Sequence, residues 1–327
     1  LKKDILISVI IPVKNGDYWL EETLGGIKKQ TLYYRTEIIV IDSGSTDASL
    51  EIIKKHDVRL IQIDPSSFSH GLTRNLGVEA AKGEFVVMTV QDAKPVDESW
   101  LEHLLTGFDG DGNVAGVCGQ QVVPHDLDKN PIEWFRPQSP PSKKKYYFST
   151  PSEFEALSPA EKRSVCGWDN VTAMYRRKVL KELPFQQTSF AEDALWAKDV
   201  LLHGYAIVYN TAARVYHYHL SDPQFVVKRQ FTVFFHFYQY FSYKPTEVKN
   251  NLWSVLRNLK LILPINQLSF KDKIKWLLYN WRIRKNINKA VRLFSKYENL
   301  GEEILIQKHN EICNVVPAAV NPNTIKI

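Results

Sequence analysis

Residues 85–90 (FVVMTV) form a continuous apolar run, largely β-branched, with no polar face. A strand with that pattern must be covered on both sides, which places it inside a parallel sheet flanked by helices. The run ends on Gln91, Asp92 and Ala93, and Pro95 is expected to stop further pairing. In open α/β sheets ligands collect outside the carboxyl ends of the strands. An acid at that edge can hold a divalent cation that bridges to a diphosphate. It can equally close a turn, or cap a helix expected from near Asp97.

The preceding chain repeats the pattern. A buried-strand run at 5–13 (ILISVIIPV) is followed by the turn Lys14, Asn15, Gly16 and a helix over 17–30. A second strand at 37–41 ends on Asp42, with a polar loop at 43–47 and a helix over 48–56. A third strand at 58–63 and a helix over 69–82 lead to 85–90, so strand and helix alternate as in a doubly wound sheet. There is neither a GxGxxG nor a GxxxxGK[ST], so the usual dinucleotide and P-loop explanations fail. Acids at strand ends repel a bare phosphate, which makes Asp42 either a hydrogen-bond acceptor for a base or sugar, or a helix cap.

After a helix over 97–108 and a strand over 114–119 the periodicity breaks. The proline-rich stretch 124–159 reads as a long binding or lid loop, with Lys143, Lys144 and Lys145 as a solvated run or an anion contact. Regular structure resumes over 169–175, and a helix follows from about 190 to 203. Glu192 and Asp193 fall in its first turn, where the helix dipole favours negative charge whatever their function. Strands at 205–209 and 213–219 follow, the latter placing His217 and His219 on one face, where they could ligate metal or simply line an edge.

With 327 residues the chain can hold one large α/β domain with an appendage, or two domains. Its cysteines, Cys118, Cys166 and Cys313, make no CxxC pair, which argues against a zinc site or a disulfide framework and suits a reducing cytosol. No signal peptide is visible and no apolar run reaches the length of a membrane span. Charge is unevenly placed: residues 224–300 carry 15 Lys or Arg against 3 Asp or Glu, while the whole chain nets only +6. The same region is rich in aromatics at helical spacing, Phe231, Phe234, Phe235, Tyr238 and Phe241, then Ile274, Leu277, Leu278 and Trp281. That composition suits the surface of an anionic membrane, or a helical subdomain that packs its rings inward. No nucleic-acid recognition module precedes it, so nucleic acid is not expected as a partner.

Taken together, SVIIPVKN at 8–15, IDSGSTDAS at 41–49, HGLTRNLG at 70–77, TVQDAKP at 89–95 and FAEDALWAKDVLLHGY at 190–205 resemble the glycosyltransferase family 2 enzymes of GT-A fold. FSHGLTRN, the form QDA, AGVCGQQ at 115–121 and VYHYH at 215–219 resemble the branch that transfers rhamnose from dTDP-rhamnose. The resemblance implies a GT-A catalytic domain over 1–220, with a doubly wound, mostly parallel sheet. A helical, basic, aromatic region over 221–313 and a tail over 314–327 complete the chain.

By that resemblance Asp42 meets the pyrimidine base, and Asp92 holds Mg2+ or Mn2+ on the diphosphate with His217 as a further contact. Pro12, Asn15, Ser43, Gly71, Arg74, Asn75 and Gln91 lie about the donor. Asp193 is the general base, and Trp168, Asp169, Asn170, Glu192 and Trp196 face the acceptor. One departure stands out: the family's Asp-x-Asp has Val90 at its first position here. The implied activity is inverting transfer of a sugar, L-rhamnose first, from a nucleotide-diphosphate donor to a saccharide acceptor. The acceptor is expected to be lipid-linked, in bacterial surface polysaccharide assembly, with the enzyme cytoplasmic and peripheral at the inner face of the cell membrane. A UDP-sugar donor and a catalytically inactive binding scaffold are the rival readings.

Overall fold

The structure, a computed structural model, describes residues 4–135 and 140–313, and the expected tail over 314–327 lies outside them. The described chain divides into two units, one of residues 4–122 and 140–217 and one of residues 123–135 and 218–313.

The first unit is built on one sheet. Its elements are β1 (Ile7–Val13), α1 (Asp17–Lys28), β2 (Thr36–Asp42), α2 (Ser49–Lys54), β3 (Arg59–Gln62), α3 (His70–Ala80), β4 (Phe85–Met88), β5 (Lys94–Pro95) and α4 (Trp100–Leu105). There follow β6 (Val114–Val122), β7 (Lys143–Tyr146), α5 (Pro151–Glu155), α6 (Pro159–Val165), β8 (Ala173–Arg176), α7 (Arg177–Glu182), α8 (Glu192–Leu202) and β9 (Ala206–Tyr216). The strand order is β3-β2-β1-β4-β8-β6-β9-β5, with β7 paired to β9. β3, β2, β1 and β4 run parallel; the apolar runs of β1, β2 and β4 bury Val9, Ile11, Val40 and Val87 completely, whereas β3, with Arg59 and Gln62, lies at the sheet's edge and is only part-buried. β8 then runs antiparallel to both β4 and β6, and β9 parallel to β6. Helix α3 lies so close on this sheet that a Cβ at Gly77 would meet Ile10 Cγ2 at 2.6 Å, which only glycine avoids.

Several expectations are corrected. Pro95 does not end pairing: Lys94 and Pro95 form an antiparallel bridge with Tyr216 and Val215 at the sheet's edge, where a missing N–H is tolerated. The two strands expected at 205–209 and 213–219 are one, β9, and the histidines fall beyond its end. Its register against β6 slips between the pairs Cys118↔Tyr209 and Gln120↔Arg214, so the apparent break in sequence is a bulge. The 124–159 stretch is not simply a loop, because it contains β7 and α5 and ends where α6 begins. Its lysines sit on the outer strand β7, where Lys143 pairs with Asp109 at 3.0 Å and Lys145 with Asp111 at 2.6 Å.

The second unit contains α9 (Pro223–Phe241), α10 (Leu252–Ile262), α11 (Phe270–Glu298) and α12 (Glu302–Cys313). Phe231, Phe234 and Phe235 of α9 pack on Ala290, Val291 and Phe294 of α11 and Leu305 of α12. For α9, therefore, the aromatic spacing encodes a core. A second cluster joins Ile262, Leu268, Trp276 and Tyr279 with Ile132 and Leu220. The fully buried Asn130 fixes the 123–135 segment by exchanging amide hydrogen bonds with Asn280 at 3.1 and 3.0 Å.

Candidate active site

The carboxyl ends of β1 and β2 meet because their register sets Val13 beside Asp42. Asp42 is buried, and its carboxylate accepts hydrogen bonds from the backbone N–H groups of Gly44 and Ser45 at 3.1 and 3.2 Å. Ser43 is buried too, its N–H and hydroxyl both donating to the Val13 carbonyl. Asn15, at a positive φ of 50°, accepts at Oδ1 from Thr46 N–H and donates its own N–H to the Ser45 hydroxyl. Pro12, Asn15, Asp42 and Ser43 thus come together in one walled corner. Gln91 joins it through both ends of its amide, accepting from Lys14 N–H at 2.9 Å and donating to Lys14 O at 3.2 Å. That amide braces the β1 turn.

Asp92 leaves β4 at the same edge. The β5–β9 bridge brings the end of β9 back alongside, and His217 Nε2 stands 3.6 Å from Asp92 Oδ1. His217 Nδ1 lies 2.7 Å from Gln121 Oε1, so Nδ1 donates to Gln121 and Nε2 is turned towards Asp92. A carboxylate and an imidazole whose second nitrogen is held this way are the donor set a divalent cation takes, with the remaining positions left to a diphosphate. The residues therefore fit a metal. Val90 packs against the main core, which accounts for its apolar side chain at a position where the resemblance leads one to expect acid.

Behind this edge lies a buried polar cluster. Glu192, at the first position of α8, pairs with Arg74 of α3 at 2.7 Å, both almost wholly buried, and accepts from Asn170 Nδ2 at 3.1 Å. Arg74, expected about the donor, instead directs its guanidinium to Glu192 and to the His70 carbonyl. Tyr175 donates to Asn170 Oδ1 at 2.5 Å and accepts from the Trp168 indole at 2.8 Å. Trp196 is buried against Trp168, Tyr175 and Phe185, with its indole N–H on Leu183 O. Trp168 and Trp196 thus support the site from behind its polar wall. Gly71 and Asn75 dock α3 on the 185–186 backbone: a Cβ at Gly71 would meet Gln186 O at 2.6 Å, and Asn75 exchanges hydrogen bonds with the Phe185 peptide.

Asp193 is half-buried. Its oxygens accept from Ala194 N–H at 2.8 Å and Asn170 N–H at 3.1 Å, which fixes their direction. The preceding Ala191 adopts the left-handed backbone at φ 56°, turning the chain sharply into α8. Burial, then the nearby Glu192 and Asp169 carboxylates, push Asp193 from the ordinary 3.8 up to about 8, against the pull of Arg74. Asp169 is raised too, chiefly by burial, although Gln121 and the Val171 and Thr172 N–H groups favour its charged form. Gln121 therefore touches both Asp169 and His217. The sequence reading had it only inside AGVCGQQ and gave it no role. The signal available was its place at the end of a buried strand.

Residues 8–184 match the family model for glycosyl transferase family 2. The chain is 32% identical to the O-antigen chain rhamnosyltransferase RfbN of Salmonella typhimurium over 231 residues, 69% of this chain and 70% of that protein. In fold it is similar to S. aureus TarS 1-349 in complex with UDP-GlcNAc, with a TM-score of 0.52, 17% identity and coverage of 94% and 90% of the two chains. It is similar also to the mannosyltransferase PcManGT from Pyrobaculum calidifontis in complex with GDP-Man and Mn2+, at TM-score 0.51 and 17% identity, covering 95% and 81%. A parallel sheet edge with acids at the ends of β2 and β4, matched over more than half the chain, leads to one conclusion: this protein is a glycosyltransferase and belongs to glycosyl transferase family 2.

Proposed function

We propose that the enzyme transfers L-rhamnose, with inversion, from dTDP-β-L-rhamnose to a saccharide in bacterial surface polysaccharide synthesis. The observation that carries this is the 32% identity to an O-antigen rhamnosyltransferase across about 70% of both proteins. The acceptor is lipid-linked and the enzyme works at the inner face of the cell membrane. Among the described residues no helix is long and apolar enough to cross a membrane, which suits peripheral attachment.

In this reading Asp42, fixed by two N–H groups, reads the pyrimidine, with Pro12, Asn15 and Ser43 completing that corner. Asp92 and His217 would hold a divalent cation. Such an ion, Mg2+ or Mn2+, supplies positive charge to the departing diphosphate. Asp193 takes the proton from the acceptor hydroxyl as that oxygen attacks the sugar carbon opposite the leaving group. Its raised pKa makes it a strong proton acceptor once ionised. Glu192, neutralised by Arg74, holds Asn170 and through it the direction of Asp193. Trp168, Asp169, Asn170 and Trp196 shape the acceptor side.

The test is donor hydrolysis in the absence of acceptor, compared across dTDP-rhamnose, dTDP-glucose, UDP-glucose and UDP-N-acetylglucosamine. Preference for dTDP-rhamnose is expected. Equal or better turnover of a UDP-sugar overturns the donor assignment.

A further inference from the structure

Helix α11 is apolar on two opposite faces. One face, with Trp276, Tyr279, Ala290 and Phe294, is buried within the second unit. At 100° per residue Phe270, Ile274, Leu278 and Trp281 fall on the opposite side, and they are 76%, 43%, 51% and 42% exposed. These side chains form a stripe about 16 Å long that joins neither core cluster among the described residues. One turn and three turns beyond Trp281 the same side becomes basic, with Lys285 and Arg292. There they line a cavity of about 450 Å³ with Lys249, Asn250, Asn251 and Asn288; its single acid, Glu247, pairs with Arg292 at 3.2 Å and leaves the two lysines in excess. The cavity has a fixed wall, because Asn288 exchanges hydrogen bonds with both polar groups of the Val248 backbone at 2.8 and 2.9 Å.

Charge identifies the occupant. From 249 to 285 there are nine Lys or Arg and one acid, Asp272, whose carboxylate takes the Ser269 hydroxyl at the helix start. Lys271, Lys275 and Arg282 are exposed along one flank of the stripe. An apolar stripe bordered by cations on an amphipathic helix matches the boundary between headgroups and acyl chains of an anionic bilayer. We infer that α11 docks there, with Phe270, Ile274, Leu278 and Trp281 among the acyl chains and a lipid phosphate in the cavity of Lys249, Lys285 and Arg292. This deepens the proposed action at a membrane by naming the surface, and it separates α11 from α9, whose aromatics form core.

The test is co-sedimentation of the full chain with vesicles of phosphatidylcholine alone or mixed with phosphatidylglycerol. Binding to the anionic vesicles is expected, weakening as salt is added. Phe270→Ser with Leu278→Ser, and separately Lys285→Gln with Arg292→Gln, should each reduce it roughly tenfold or more. Unfolding midpoints and donor hydrolysis of both variants should match the parent, which excludes misfolding as the cause. Equal binding to neutral and anionic vesicles overturns the inference. So does unchanged binding in both variants, or its loss only when Leu252 and Trp253 of α10 are changed to Ser. A stripe that instead holds two copies together shows as dissociation of a dimer by Phe270→Ser with Leu278→Ser in sedimentation velocity, without vesicle binding. Neither donor nor acceptor enters the vesicle assay. Transfer to a soluble acceptor without vesicle binding sinks this inference alone, and vesicle binding without rhamnosyl transfer sinks the proposed reaction alone.

Discussion

Replacing Asp193 with Asn should change how stability depends on pH, by an amount the site itself sets. The native carboxyl holds its proton up to about pH 8, whereas the unfolded chain releases it near the ordinary 3.8. Between those values the native state binds one more proton than the unfolded state. A folded pKa above the unfolded one gives stability that is fully present below the unfolded pKa and is lost as pH rises to the folded pKa. One proton corresponds to about 1.36 kcal/mol per pH unit, so from about pH 5 to pH 7 this group removes about 2.7 kcal/mol. The amide that Asp193→Asn introduces does not titrate. It retains one acceptor for the two N–H groups of Asn170 and Ala194, and the other N–H loses its partner at a cost of about 1–3 kcal/mol at every pH. The variant curve is therefore displaced but flatter, and only its slope reports the carboxyl. Urea unfolding of both proteins at several pH values gives the difference directly, since every other titrating group is common to both. Parallel curves would refute the assignment of a raised pKa to Asp193. The same proton governs turnover: kcat/KM of the parent should climb with pH towards a plateau above about 8. Transfer by the Asn variant should lie roughly 10²-fold or more below the parent's plateau, and the gap should narrow as pH falls.

Asp92→Ala should remove nearly all turnover while leaving the unfolding midpoint in place, and full activity of the parent in excess chelator would contradict a metal role. Gln121→Ala should weaken Mn2+ binding by about tenfold, read by electron paramagnetic resonance titration, because His217 loses the partner that fixes its tautomer. An unchanged dissociation constant rules that out. Arg74→Met leaves the buried Glu192 charge without its partner and should cost about 3–5 kcal/mol. Adding Glu192→Gln should restore much of this, and strict additivity of the two changes would disprove the coupling.

The parallel half of the sheet was readable from sequence because β1, β2 and β4 are apolar without interruption, a pattern few folds accommodate. Asp42 and Asp92 were readable for the same reason, as the first acids after such runs. What sequence could not give was long-range partnership. Arg74 and Glu192 are 118 residues apart, and their pairing turns an apparent donor contact into an internal strut. Gln121 and His217 are joined by a hydrogen bond that local periodicity does not encode. Pro95 misled because a rule about lost N–H groups says where proline is costly, and an edge bridge is not such a place. The aromatic region was legible as helical but not as two populations. Phe231 and Phe270 look alike in composition, and only packing shows one enclosed and the other bare.

The register slip in β9 has a consequence for how this chain can vary. Five steps along β9, from Tyr209 to Arg214, span the two steps from Cys118 to Gln120. The extra residues are held from the other side, Asn210 by its pairing with Lys143 of β7 and Thr211 by its N–H on Ser142 O, and the β6 ladder then resumes in phase. Downstream, too, there is no slack, because Arg214, Val215 and Tyr216 are clasped by Gln120, Gln121 and Val122 on one side and, at Val215 and Tyr216, by β5 on the other. Since side chains alternate along a strand, a single deletion between Arg214 and His217 would turn the imidazole to the opposite face. Single deletions within 214–217 should therefore abolish turnover, which a library of one-residue deletions scored for turnover would show.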